Sequence, residues 1–180
     1  MLQIINSREQ VEWKPVGITA VALMVGAIGL RVGLPVYRQA VLVREIHRVG
    51  GTILETRPRG PEWLHDQFDD DQTMLFDEIV GVDLRGSQAT DDILYQLQSL
   101  SSLERLWLDD TLVSDRGLSH LRSLTALQGL SLSGTRVTDA GLAHLKGLDN
   151  LQHLLLTDTQ VTDAGVAERN RTVPKLRISR

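Results

Sequence analysis

A 24-residue period runs through the sequence from Ile79 to Leu156. An apolar hexad, apolar-x-x-apolar-x-apolar, begins at Ile79, Leu103, Leu127 and Leu151, so each start lies 24 residues after the one before. A constant period of about 20–29 residues indicates one small structural unit copied in tandem. A unit of this size cannot bury its own apolar residues, so we expect the four copies to stack and share one core.

The first half of each unit is predicted to be a strand followed by a turn. In the copy that begins at Leu127, Leu130-x-Leu132 alternates as a strand with one buried face does. Thr135 follows three residues later, where the chain leaves the strand and exposes backbone groups that need partners. A hydroxyl can both donate and accept there, so we expect a stacked ladder of hydroxyls. Its members are Ser87, Thr111, Thr135 and Thr159.

The second half of each unit is predicted to be a short helix. Thr138 is a suitable cap for free helix N–H groups, and Asp139 suits the positive end of the helix dipole. Leu142 and Leu145 then follow at a helical spacing of three residues. The same start recurs as Thr90-Asp91, Ser114-Asp115 and Thr162-Asp163.

Together these features are those of a leucine-rich repeat. The predicted fold is therefore an α/β leucine-rich-repeat solenoid of four strand-turn-helix units with a parallel sheet, preceded by a single N-terminal hydrophobic helix. The form Leu-x-x-Leu-x-Leu-x-x-Thr-x-Val-Thr-Asp-Ala-Gly-Leu-x-x-Leu of residues 127–145 resembles the repeats of planctomycete-type bacterial proteins, and also those of eukaryotic F-box leucine-rich proteins. Residues 44–52 and 61–64 are similar to the segment that joins a membrane anchor to the first repeat in the bacterial proteins. The resemblance implies a protein-binding scaffold and supplies no catalytic residues.

An apolar segment near the N-terminus suggests a membrane anchor. Residues 16–30 contain no charged residue, and apolar character continues past Arg31 to Val36, with Trp13 and Tyr37 on either side. A membrane-spanning helix needs about 20 apolar residues, often with aromatic residues at the interfaces. A single-pass anchor is the favoured interpretation, with a cleaved signal peptide or a buried soluble helix as alternatives. More arginines follow the segment than precede it, which favours cytoplasmic repeats.

The predicted organisation has five parts. They are an N-terminal polar segment (residues 1–15), a membrane-anchor helix (16–36), a juxtamembrane helix (37–51), an N-terminal cap (52–78) and the repeats with a C-terminal closing strand (79–180). In the last repeat Arg169 stands where the pattern predicts leucine, as a polar cap would require. Leu176-x-Ile178 is expected to close the sheet, two residues early relative to the period.

Several functional classes find no support in the sequence. The chain has no cysteine, which excludes disulfides and cysteine-based zinc sites, and its net charge of −4 argues against nucleic-acid binding. The acidic run at residues 69–71 lacks the order of a calcium loop. His120 and His144 occupy the same repeat position, but neither has a second ligand nearby, so they are expected to be solvated helix residues. We expect no enzyme activity, no cofactor and no metal site.

The side chains between the strand leucines are expected to line the concave face of the solenoid and to bind a protein or peptide. Trp107 and Leu155 share one column across the strands, and an exposed tryptophan near charged groups is typical of a binding hot spot. The alternative is that Trp107 packs flat on neighbouring strands. Alternative functions are a structural component of a larger assembly and an adaptor in protein turnover. The predicted partner-binding residues are Asp83, Arg85, Arg105, Trp107, Asp109, Ser131, His153 and Leu155.

Overall fold

The structure is a computed structural model and describes residues 30–58, 77–173 and 176–180. The chain divides into two compact units, residues 1–38 and 39–180. In chain order the described elements are α1 (Leu30–Arg48), β1 (Thr52–Arg57), β2 (Glu78–Asp83), α2 (Asp91–Leu97), β3 (Arg105–Trp107), α3 (Asp115–Leu118), β4 (Gly129–Ser131), α4 (Asp139–Leu142), β5 (His153–Leu155), α5 (Asp163–Thr172) and β6 (Arg177–Ser179). Short 3-10 turns extend two of the helices, at Ser119–Ser123 and Ala143–Leu145.

Within the described ranges, one six-stranded sheet runs in the order β1 to β6. Strand β1 is antiparallel to β2, and every later pair is parallel with partners 24 residues apart, as in Val82 to Leu106 and Leu106 to Leu130. Parallel strands require a crossover, which the helices between them supply. This register confirms the predicted α/β leucine-rich-repeat fold with a parallel sheet.

The closing strand β6 corrects one detail of the prediction. Ile178 pairs with Leu154, 24 residues before it, so the strand is in register and does not arrive early. The expectation took Leu176 as the equivalent of Leu154, but Leu176 lies just before the strand, where it is buried. The repeat period therefore continues to the end of the sheet.

The leucines of the hexads form one continuous core. In all four copies these apolar residues are at most 2% exposed, and the helix leucines that face them are also buried. The four copies contribute Ile79, Val82, Leu84, Leu103, Leu106, Leu108, Leu127, Leu130, Leu132, Leu151, Leu154 and Leu156. Each fully buried leucine stabilises the fold by roughly 1.5–3 kcal/mol relative to an exposed one, so no repeat is expected to be stable alone.

The N-terminal end of this core is covered by residues 39–57. Leu42 and Ile46 of α1 are buried in the core, and the Gln39 side chain donates a 2.6 Å hydrogen bond to the Asp77 carbonyl. Strand β1 covers the edge of β2 that the repeats leave open. The segment predicted as a juxtamembrane helix therefore also serves as part of the cap.

Helix α1 is continuous across the predicted boundary between residues 36 and 37. In the described part of the chain, no helix is long and apolar enough to cross a membrane. Most of the predicted anchor, residues 16–29, lies outside the described residues. So does the acidic run at residues 69–71.

At the C-terminal end, Arg169 differs from the prediction of a solvent-facing cap residue. It is only 3% exposed, and its Nη2 donates a 2.8 Å hydrogen bond to the Leu145 carbonyl of the preceding repeat. Burial lowers the pKa of the Arg169 guanidinium because the charged form loses water, while nearby Asp149 acts in the opposite direction. The arginine occupies the leucine position and uses its charged end to bind a helix carbonyl.

The hydroxyls after each strand act within their own repeat and form no ladder between repeats. Thr111 donates to the Leu108 carbonyl at 2.6 Å and Thr135 donates to the Leu132 carbonyl at 2.5 Å. Thr159 makes the equivalent bond in the last repeat. Each closes the turn by bonding the carbonyl three residues earlier, so the prediction of backbone satisfaction is correct but the stacked arrangement is wrong.

The contact between repeats is made instead by the aspartate at each helix start. The Asp115 carboxylate accepts hydrogen bonds from the Thr138 N–H at 2.8 Å and from the Thr138 hydroxyl at 2.6 Å. Asp91 binds Ser114 in the same way, and Asp139 binds Thr162. Each aspartate thus holds the helix cap of the next repeat, in addition to the predicted effect on its own helix dipole.

A glycine in the next repeat, 26 residues after each of these aspartates, leaves room for this bond. A Cβ on Gly141 would overlap the Asp115 carboxylate and lie 3.0 Å from Val137. Gly117 faces Asp91 and Gly165 faces Asp139 in the same way. The repeated Asp-x-Gly sequence is therefore explained by contacts between adjacent repeats. The aspartate of one repeat bonds the helix cap of the next repeat, and the glycine of that next repeat leaves room for the carboxylate.

We expect Gly141→Ala to lower the free energy of unfolding by about 1–3 kcal/mol, because overpacking a fixed contact costs this much. Gly147→Ala is the matched control, since nothing lies within 4 Å of a Cβ at that position and its φ is not positive. Urea unfolding of both variants measures the difference. Equal stability of the two variants would contradict the proposed role of Gly141.

Candidate functional site

Two columns of side chains cross the outer face of the sheet. One column contains Gly81, Arg105, Gly129, His153 and Arg177, and the other contains Asp83, Trp107, Ser131, Leu155 and Ser179. The buried leucines between the columns point to the core, so the columns point away from it. We call these two columns, with Arg85 and Asp109 at the ends of their strands, the sheet face. It brings together all eight of the residues predicted to bind a partner.

Charged side chains at the N-terminal side of the sheet face are paired with one another. Arg85 binds Asp83 through its Nη2 at 2.5 Å, and these hydrogen bonds hold the pKa of the Asp83 carboxyl below its usual value. Arg105 binds Glu55 of β1, and Arg57 of β1 binds Glu104 at 2.7 Å. The charges of this half are therefore largely neutralised within the chain.

Trp107 is partly buried and lies against the neighbouring strand. Its ring atoms Cη2 and Cζ3 are 3.3 and 3.7 Å from the position that a Cβ on Gly129 would take. The absence of a side chain at Gly129 lets the indole ring lie over β4. One side of the Trp107 ring therefore packs on the neighbouring strand, as the alternative interpretation expected. The rest of the side chain remains open to solvent.

Ser131 is less accessible than its column position predicts. It is 1% exposed, and its hydroxyl donates a 2.5 Å hydrogen bond to the Asp109 carboxylate. Its partners on the two adjacent strands are Trp107 and Leu155, whose larger side chains flank the small serine. Ser131 therefore orients Asp109 and does not itself offer a contact surface.

The C-terminal half of the sheet face is open. His153 and Arg177 are exposed neighbours on β5 and β6, and Leu155 is 37% exposed. His153 and Arg177 line a shallow recess of about 490 Å³, together with Asp149, Asn150, Leu151 and Gln152. Sequence reasoning missed Arg177 because the closing strand was placed out of register. Adding the 24-residue period to position 153 would have identified Arg177 as the neighbour of His153.

The two helix histidines have unrelated environments. The His120 ring packs edge-on against Tyr95, with ring centres 5.3 Å apart. The His144 Nδ1 accepts a 2.5 Å hydrogen bond from Arg122. Across the described residues there is no group of three or more potential metal ligands. The repeated position therefore does not make a shared site.

Comparison with known proteins gives only partial likenesses. No protein-family model and no curated protein matches this sequence. Among solved structures, internalin C2 from Listeria monocytogenes is 31% identical over 47% of this chain and 34% of its own, with a TM-score of 0.40. The internalin InlF from the same bacterium is 21% identical over 47% and 30%, with a TM-score of 0.35. The chain spans about a third of the length of these proteins, and its assignment as a leucine-rich repeat depends on its own strand register.

We expect Trp107→Ala to lower the free energy of unfolding by less than about 1 kcal/mol, because a side chain on an open face contributes little to the core. Leu106→Ala, one residue away and fully buried, should cost about 2–5 kcal/mol. Thermal melting of both variants measures the contrast. Comparable destabilisation by the two variants would mean that Trp107 is a structural residue.

Proposed function

We propose that this chain is a non-catalytic interaction module that binds a protein or peptide on its sheet face. The observation that carries the proposal is the open C-terminal half of that face. There His153, Leu155 and Arg177 are exposed, beside the partly open Trp107. Tryptophan and arginine are enriched among the residues that contribute most to binding energy.

The scaffold supports this role because it holds these side chains in fixed positions. Each strand of the sheet face is bonded to its neighbours, and each helix start is locked to the next by an aspartate. A surface that is ordered before binding loses less conformational entropy when a partner docks. The ion pairs at the N-terminal side are exposed and add little to stability, so they serve as a polar margin of the surface.

The proposal is tested by photo-crosslinking and recovery of partners in the native host with the full chain as bait. We expect the amount of a partner protein recovered with the Trp107→Ala/Leu155→Ala variant to be at least tenfold lower than with wild type, since loss of a hot spot costs about 2 kcal/mol or more of binding free energy. The matched control is Tyr95→Ala/Leu112→Ala, which removes an exposed aromatic residue and an exposed leucine away from the sheet face.

Equal recovery by both double variants would contradict binding on the sheet face. It would favour the alternative, a structural component of a larger assembly. Recovery of ubiquitin-ligase subunits through the sheet face would support the adaptor function suggested by the resemblance to F-box proteins.

We also propose that residues 16–36 anchor the chain in a membrane as a single-pass helix, with the repeats in the cytoplasm. The support is the uncharged run at residues 16–30, its aromatic flanks and the excess of arginines after it. The full chain should remain in the membrane pellet after alkaline carbonate extraction, and the Val25→Lys/Ile28→Lys variant should not. External protease should leave the repeats intact in whole cells. Release of wild type by carbonate would contradict the anchor, and digestion from outside would contradict the orientation.

A further inference from the structure

Arg177 and His153 differ from the other basic residues of the sheet. Arg57, Arg85 and Arg105 each bind a carboxylate of this chain. In the part of the chain that the structure describes, the side chains of His153 and Arg177 make no hydrogen bond or ion pair. They are paired in register on adjacent strands, so their backbones lie about 4.8 Å apart and their side chains point the same way.

The rest of the recess does not supply a partner for these two groups. Asp149 is the one carboxylate that lines it, and it forms no ion pair with His153 or Arg177. The Asn150 amide donates a 2.8 Å hydrogen bond to the Thr125 carbonyl, which fixes the position of the Asn150 side chain in the recess. Gln152 adds a neutral amide. The recess therefore presents a guanidinium, an imidazole and amide groups beside the exposed Asp149 carboxylate, and the guanidinium and imidazole are the groups that suit a second carboxylate.

An apolar contact lies at a defined distance from this cationic pair. Leu155 follows His153 by two residues on the same strand, so the two side chains share one face and lie about 6.6–6.8 Å apart. Leu155 is exposed although leucine is apolar. In an extended peptide, residues i and i+2 repeat at this same spacing. An acidic residue and an apolar residue two positions apart would therefore match the surface.

We propose that the recess formed by His153 and Arg177 binds the acidic side chain of an extended peptide segment, with an apolar residue two positions away against Leu155. The inference rests on the proposed function, because it names the chemistry of the partner for the same sheet face. Arg177 forms a charge-assisted pair with the aspartate or glutamate, and His153 and Gln152 donate to the same carboxylate. Trp107 lies across β4 from Leu155, to the side of a segment that runs along β5.

The probe is a random 12-residue peptide library displayed on phage without a free C-terminus and selected on the full chain in mild detergent. The expected result is enrichment of peptides with an acidic residue two positions from an apolar one. A selected peptide, made synthetically with an amidated C-terminus, is then titrated by fluorescence anisotropy. Replacing its acid by the amide, or using Arg177→Gln/His153→Gln protein, should weaken binding at least tenfold.

The matched control is Arg136→Gln/His47→Gln, which removes an exposed arginine and an exposed histidine that lie off the sheet face. This variant should bind the peptide as wild type does. The acid-to-amide change should have no further effect on the Arg177→Gln/His153→Gln protein, because the charged partner is already gone.

Three outcomes would overturn the inference. Selected peptides that lack an acid and bind through Trp107 and Leu155 would contradict it but leave the proposed function intact. Peptides selected only from a parallel library that carries a free C-terminus would assign the recess to a chain terminus. Selections from both libraries that yield no peptide dependent on any sheet-face residue would contradict both this inference and the proposed function.

Discussion

The hydrogen bond from an aspartate to the cap of the next repeat is the interaction on which this structure depends. A 24-residue unit has too little apolar surface to hold itself together, so its stability comes from its neighbours. Each aspartate accepts two hydrogen bonds from one serine or threonine, and that residue in turn caps its own helix. One carboxylate therefore fixes both the start of the next helix and its distance from the preceding one. The glycine that makes room for the carboxylate is part of the same constraint.

The hydrogen bond between the Asp139 carboxylate and Thr162 also makes the stability of the fold depend on pH. The Thr162 hydroxyl, and then the Thr162 N–H, lower the pKa of the Asp139 carboxyl. A carboxyl with a lowered folded-state pKa contributes stability above its ordinary value of about 4, and this contribution is lost as pH falls through the folded pKa. The contact between Asp139 and Thr162 is therefore expected to weaken in acid.

The sequence predicted the repeat, the strand columns and the helix caps at Ser114, Thr138 and Thr162 because these depend on local spacing. The predicted cap at Thr90 is wrong, because its side chain makes no cap hydrogen bond. The 24-residue period alone determines that Asp83 and Trp107 are neighbours across strands. It could not predict that Glu55 binds Arg105, because β1 is antiparallel and pairs with β2 through irregular steps. Its pairing follows no period. Long-range contacts outside the repeat are thus the part of the site that sequence reasoning missed.

Two further differences come from side-chain size and length. Ser131 was expected to face solvent, but it is a small residue between two large ones and is buried. Arg169 was expected to be a polar cap, but its long side chain occupies the leucine position and reaches a carbonyl of the preceding repeat. Residue class predicts which face a side chain takes, whereas its neighbours in adjacent repeats determine how much of it remains exposed. This is why the open surface around His153 became visible only in the structure, whereas Arg177 was missed because the closing strand was placed out of register.

The most direct test of the coupling between repeats is a double-mutant cycle at Asp115 and Thr138, measured by urea unfolding of the full chain. Asp115→Asn removes the charge, Thr138→Val removes the hydroxyl, and the double variant removes both. Because the two residues share hydrogen bonds across a repeat boundary, we predict a coupling energy of about 1 kcal/mol or more. Additive effects, within about 0.3–0.5 kcal/mol, would contradict the claim that this contact joins one repeat to the next.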